Sequence, residues 1–435
     1  MPSPHPALAE ADLHARALDL ATHALDHWSE HPPTPRDVAR QTPGDPAIPF
    51  LCRLVTAIPD PAAGASAAGA GTARASAACA SAARASAARA SAVRAAAVWA
   101  RTAGKGPHHP GLFNGGLTGT LMGLQHAAHL HPALAGPATR LRTRLLTHPR
   151  PGHHGHVTFP DYDLITGPAG LLLALADDDT LDPRALLPLI QHLSDLCDSD
   201  TLAGLRAHYP GHPQLGWLHG HINTGMGHGA AGVMTALAAA VRRLHRHDPT
   251  TVPDHARAAL GHLQHWFRQE AFDDQRTLRT WDGAGPRPHP AIPGARARQA
   301  WCYGTPGVAW ALWETATALG DNGTATWAGD AFTTLAHAYD TDFHLYGDHI
   351  GDRLGLCHGA AGVLLIADAF HRHAHHPAAS ALRTRLLTYL ATHDEDLHTP
   401  APQPTSLLSG VYGVLAAILT TTGGDRSWLA CLGLR

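Results

Sequence analysis

Two stretches of the chain nearly repeat each other, GMGHGAAG at 225 to 232 and GLCHGAAG at 355 to 362, but the first sets Gly227 before its histidine and the second sets Cys357 there. A third stretch, WCYGTPG at 301 to 307, puts Cys302 where the second has Cys357, with Tyr303 in the place of His358 before Gly304. If equivalent turns of a repeated architecture face one mouth, then Cys302, Cys357, His358 and His228 converge there. Two thiolates and an imidazole are a donor set that zinc takes well, and three protein ligands leave a fourth position for water or substrate. No C-x-x-C pair stands nearby to complete a closed four-ligand site. Taken singly, either cysteine could be a small buried hydrophobe, as free cysteine often is. Their shared place in the repeat, one of them beside a histidine, favours the metal reading. The chain carries 36 histidines, so most of them belong to its surface, His212, His219 and His221 of the loop before His228 included.

The elements that would hold these residues are visible as a recurring G-x-x-G pair followed by an apolar helical pattern. It occurs at Gly116/Gly119, Gly167/Gly170, Gly229/Gly232, Gly304/Gly307, Gly359/Gly362 and Gly410/Gly413. One such pair means little in a chain with 43 glycines, but six in one context mark a repeat. Their spacing leaves room for two helices each, which reads as repeated helical hairpins. GPAGLLLALA and GVYGVLAAIL are apolar nearly all round and predict buried inner helices. Leu382, Leu386 and Leu390 make a one-faced stripe, predicting an amphipathic outer helix, and LRTRLLT at 382 to 388 recurs letter for letter at 141 to 147. Strand signals are scarce. The expected fold is all-α, an α/α toroid of inner and outer helices, whose inner N-termini offer unpaired N–H groups around the axis. The whole of 1–435 reads as a single domain, with 110–420 the clearest repeat region. Within it, the low-complexity Ala/Arg segment 61–100 reads as a solvated helix or an insertion with no assigned chemistry.

Composition narrows the function. A formal charge of −3, from 32 Lys and Arg against 35 Asp and Glu, provides no basic field for nucleic acid or anionic lipid. No run approaches the roughly 18 apolar residues of a membrane span, and the start lacks an apolar signal core. Six cysteines in 435 residues do not make a disulfide scaffold, so a cytoplasmic place with reduced thiols is expected.

WCYGTPG, GLCHGAAG, NTGMGHGAAG at 223 to 232 and YDLITGPAG at 162 to 170 together resemble LanC-type lanthipeptide cyclases, in matching order along the chain. The resemblance implies a double α-toroid that joins cysteine thiols to dehydroalanine or dehydrobutyrine in a precursor peptide, forming thioether rings. It implies Zn2+ on Cys302, Cys357 and His358, His228 as the acid/base histidine, and Asp163 as an aspartate working with the other side of the substrate. Arg298 and Tyr303 match further positions lining the site. By the same resemblance the partners are a dehydrated precursor peptide, a separate dehydratase and an export transporter. Chemically, coordination deprotonates a thiol outright, attack on the β-carbon makes an enolate, and a histidine is suited to protonate it. Arg298 could hold charge at that enolate, or be one of several exposed arginines. Asp163 could orient or deprotonate a partner near the mouth, or cap a helix. Rival readings are an enzyme of this fold adding a free thiol such as glutathione, a zinc α/α-barrel protein prenyltransferase, and a scaffold holding zinc for stability alone.

Overall fold

A computed structural model describes residues 10–31, 43–57, 72–105, 109–147, 156–286, 298–398 and 406–435. The part of the Ala/Arg segment from 61 to 71 lies outside the described residues. The rest is one helix, Thr72–Thr102. Its alanines at 88, 92, 95 and 96 and Trp99 are buried, while Arg84 and Arg94 pair with Asp19 and Asp26 of the helix Glu10–Glu30. Small alanines therefore form a packing face, and the arginines lie along its border.

The chain is almost entirely helical; strands among the described residues are two short antiparallel pairs, Ile222–Asn223 with Ala284–Gly285 and Phe272–Asp273 with Arg279–Thr280. In chain order the longer helices are α1 (Glu10–Glu30), α2 (Ala47–Thr56), α3 (Thr72–Thr102), α4 (Leu117–Ala127), α5 (Ala135–Leu146), α6 (Pro168–Ala176) and α7 (Leu187–Asp195). They continue with α8 (Ala230–His247), α9 (Asp254–Glu270), α10 (Thr305–Leu319), α11 (Asn322–Ala338), α12 (Ala360–Ala369), α13 (Pro377–Ala391) and α14 (Val411–Thr421). The even-numbered helices carry the most continuously buried residues, each packs on the next even one, and α14 returns to α2. Each also packs on an odd-numbered partner, α14 taking α1. The chain's first described helix thus completes its last hairpin.

Why the even helices can approach is written in the second glycine of each pair. A Cβ at Gly232 would lie 2.2 Å from the Met226 carbonyl oxygen and 3.2 Å from Leu164 Cβ of the preceding turn; at Gly362 it would lie 2.0 Å from the Leu356 carbonyl oxygen and 3.0 Å from Trp301 Cβ. Only glycine fits there. The turns are also laced together by backbone hydrogen bonds. Phe113 N donates to Ile165 O, Leu164 N to Gly227 O, Met226 N to Cys302 O, Cys302 N to Cys357 O, and Cys357 N to Leu408 O. The last link is made by a side chain, since Leu407 N donates to Asp45 Oδ1 at 3.0 Å. The sequence pattern missed this seventh turn because Pro46 and Pro49 of α2 stand where the glycines stand elsewhere. The twice-written LRTRLLT has one job in both places: Arg142 reaches Asp178 and Arg383 reaches Asp368, each beyond or within an inner helix.

Asp45 carries a testable consequence. Its Oδ1 also accepts from Ala47 N, but Oδ2 has no partner, and burial pushes its pKa up to about 7. The folded chain binds this proton more tightly than the unfolded chain does. Its stabilising contribution is therefore full below the unfolded value of 3.8 and is lost as pH rises through about 7. Asp45→Asn keeps the Oδ1 acceptor without the charge. Melting curves from pH 5 to 8 are expected to show the native chain losing on the order of 2–4 kcal/mol more than the variant. Equal slopes would remove Asp45 from the account.

Candidate active site and metal centre

The belt of backbone bonds is what brings Cys302 and Cys357 together although 55 residues separate their turns. Ligand atoms of Cys302, Cys357 and His358 all lie within 4.8 Å of one another. Donors around a tetrahedral zinc lie about 3.7 Å apart for bond lengths near 2.3 Å, so the three side chains fit a metal with small adjustments. The cluster can hold a metal ion, and it is the one Cys/His/carboxylate group of that kind among the described residues. The two thiols are linked by a hydrogen bond between them. Burial, then donation to Cys357, holds the Cys302 thiol well above the usual range. The hydrogen bond from Cys302, helped by His358 and opposed by burial, holds the Cys357 thiol below the usual range. By contrast, Cys52, Cys197 and Cys431 are buried in the core, where desolvation is the main cause that keeps them thiols.

His358 is itself oriented. The short helix Ile350–Leu354 carries Asp352, whose Oδ1 stands 3.2 Å from His358 Nδ1, leaving Nε2 as the nitrogen available to a metal. A carboxylate behind a ligating imidazole fixes its ring and raises its basicity. Asp352→Asn is expected to weaken zinc binding about 10- to 100-fold in a chelator competition with little change in melting temperature; unchanged affinity would make the contact incidental.

On the other side of the mouth, Asp163 is fully buried and its two oxygens are divided. Oδ1 accepts from Thr166 N and Gly167 N, both at 2.7 Å, at the start of α6; Oδ2 stands 2.5 Å from His228 Nδ1. The sequence posed capping and chemistry as alternatives for Asp163; in the structure Oδ1 caps the start of α6 and Oδ2 is left to His228. The carboxylate stands behind the His228 ring, on its Nδ1 side. Phe159 stacks on the His228 ring at 4.4 Å, and Tyr162 donates to the His228 carbonyl at 3.1 Å. With Nδ1 taken, Nε2 is the nitrogen on a side chain 37% exposed.

The two halves are within electrostatic reach of each other. His228 lowers the Cys357 thiol electrostatically, and Tyr303 feels Cys302, Cys357 and Asp163 together. Burial is the main reason that the Tyr303 hydroxyl is pushed up to about 12, and this hydroxyl accepts from Asn223 Nδ2 at 2.8 Å. Such a group holds its proton and shapes the wall. Arg298 is folded over the Tyr346 ring at 4.2 Å and donates to the Tyr346 carbonyl, yet its charge still reaches Cys302 and His358. His212 serves its own loop, its Nδ1 accepting from Gln214 N and Leu215 N. Sequence reasoning missed Asp352 and Phe159, and also passed over Asn223, although that residue stands five before His228 inside a quoted motif.

Comparison with known proteins agrees with this construction. The solved structure of a nisin cyclase superposes with a TM-score of 0.61 at 19% identity, over 80% of this chain and 86% of that one, which is a likeness of fold. Among curated protein sequences none matches. No helix among the described residues is long and apolar enough to cross a membrane. The family model described as lanthionine synthetase C-like protein matches residues 70–432, and with that span covered the chain belongs to the lanthionine synthetase C-like family.

Proposed function

We propose that the chain is a zinc-dependent lanthipeptide cyclase, adding cysteine thiols of a dehydrated precursor peptide to dehydroalanine or dehydrobutyrine to form thioether rings. Family, fold and the Cys/Cys/His cluster support thiol-addition chemistry of this class. The observation that carries the specific reading is the pairing of that cluster with an Asp163–His228 dyad across one mouth. The frame is an α/α toroid of paired inner and outer helices acting as one domain, a reading supported by the cyclic packing of the even-numbered helices.

Cys302, Cys357 and His358 would hold zinc, and the chemistry the ion supplies when bound is a peptide thiol kept as thiolate at neutral pH. As two anionic sulfurs and a neutral imidazole, Cys302, Cys357 and His358 would offset the charge of the ion they bind. The new bond is sulfur to β-carbon. The alkene π pair moves to the α-carbon and its carbonyl, and His228 Nε2 gives that carbon a proton, replacing in sum the one the thiol lost. Asp163 holds Nδ1–H, fixes the tautomer and offsets the imidazolium charge, as a buried carboxylate does behind any catalytic histidine. Arg298 lies within electrostatic reach of the sulfurs, where it can also hold the peptide. Dehydration of serine and threonine falls to a separate dehydratase and release of product to an export transporter, in a cytoplasm that keeps the thiols reduced.

The test is to incubate the purified chain with a dehydrated cysteine-containing peptide, alkylate with N-ethylmaleimide and weigh the product. Loss of alkylatable thiol without a change in peptide mass, abolished by a chelator, is the expected result. A gain of one glutathione when that thiol is added would favour the free-thiol reading instead, and full alkylation of a zinc-loaded sample would count against both.

A further inference from the structure

We propose that Trp217 is a specificity-determining residue at the rim of this site, where its ring stacks on an apolar or aromatic side chain of the peptide next to the reacting residue. The inference rests on the cyclase reading and names a part of the substrate that the reading leaves open.

Trp217 is the exposed large hydrophobic among the described residues, 54% accessible where its neighbour Leu218 is fully buried. A tryptophan left half in water, with so little other exposed aromatic surface among the described residues, points to a contact made with something else. The backbone that carries it is fixed. Gly216 N donates to His212 O, Leu218 N to Leu215 O, Gly220 N to Ala207 O, and Ala207 N to His221 O. The ring is therefore presented by a braced loop and its exposure is built in.

Its position connects it to the chemistry. A Cβ placed on Gly283 would meet Trp217 Cη2 at 3.6 Å and Tyr303 Cε1 at 3.7 Å, so the two rings flank one glycine. Gly283 is held by its carbonyl, which accepts from Thr224 N at 3.2 Å, four residues before His228. Tyr303 follows Cys302 directly. Gly283 thus lies between the site's own tyrosine and the exposed Trp217 and has no side chain to fill the space where the two rings come together. The same loop touches the opposite half, because the Tyr209 hydroxyl accepts from Phe159 N at 2.8 Å and Phe159 stacks on His228. One loop therefore borders both the dyad and the wall beside Cys302. A peptide laid from one half to the other passes along it. Aromatic faces on both sides suit an apolar or aromatic side chain and disfavour an acidic one.

Two dehydrated peptides differing only in the residue beside the reacting cysteine, leucine against glycine, would be compared on the native chain, Trp217→Ala and Trp217→Phe. Binding is read by fluorescence anisotropy of labelled peptide, and KM and kcat from the alkylation assay, with zinc content and melting temperature as controls. The native chain is expected to bind the leucine peptide about tenfold more tightly. Trp217→Ala should erase that preference through KM with kcat unchanged, and Trp217→Phe should restore most of it. Cyclisation with equal preference in all three proteins overturns the inference and leaves the cyclase reading standing. Preferential binding without cyclisation supports the contact at Trp217 while the proposed reaction fails. If Trp217→Ala instead converts a sedimenting dimer to a monomer and leaves peptide preference intact, the ring's partner is a second copy of the chain and the inference falls.

Discussion

Cys357→Ala is expected to bind zinc at least about 100-fold more weakly than the native chain and to lose cyclisation to the limit of detection, with its melting temperature nearly unchanged. Removing a ligand costs more than removing the group behind a ligand, for which 10- to 100-fold is usual, and it leaves Cys302 and His358 as a two-donor site. The fold should survive because Cys357 contributes to the belt through its backbone. Its N donates to Leu408 O and its O accepts from Cys302 N, and alanine supplies both. The side chain is half-buried at the mouth, where truncation opens no sealed cavity. Cys197→Ala is the control, since that thiol is fully buried against the core and far in character from a ligand. Zinc stoichiometry by elemental analysis separates the two. If Cys357→Ala retained about one zinc per chain, the proposed ligand set would be wrong, whatever its activity.

What the sequence disclosed about this site was the part written in backbone geometry. Glycine is needed at Gly232 and Gly362 because a Cβ would strike a carbonyl of the preceding loop. Such a requirement recurs wherever the turn recurs, so equivalence of Cys302 and Cys357 could be inferred without knowing any distance. The seventh turn was hidden because α2 reaches the same packing with Pro46 and Pro49, and because its link to the belt is the Asp45 carboxylate instead of a carbonyl. A side chain doing a backbone's work leaves no periodic mark. Asp352 was hidden for another reason. It acts through a contact to His358 from a separate short helix, and nothing in the five intervening residues announces that the chain turns back on itself. The alanine-rich stretch failed to show its role because its burial comes from small residues, which a hydrophobic-stripe argument weighs lightly, yet Ala88, Ala92 and Ala95 are fully enclosed.

Asp163 is the residue for which sequence and structure together make the sharpest experiment. Asp163→Asn is expected to lower kcat by about 10²- to 10⁴-fold while zinc content and peptide KM stay near native. The asparagine carbonyl can take the place of Oδ1, accepting from Thr166 N and Gly167 N, so the start of α6 remains capped. Its amide then faces His228 Nδ1 as a donor, which requires that nitrogen to be unprotonated and moves the proton of the neutral ring to Nε2. The variant also lacks the charge that offsets an imidazolium. Both effects act on proton delivery and neither touches the metal cluster. Asp163→Ala would mix this loss with about 1 kcal/mol or more of lost capping, so it cannot substitute. His228→Asn should show a similar fall in kcat with zinc retained, and combining it with Asp163→Asn should cost little more, because a carboxylate that acts only through the imidazole has nothing left to act on. Multiplied losses in the double variant would instead mean that Asp163 has a second role in catalysis, and loss of zinc from His228→Asn would mean that the two halves of the mouth are not separable.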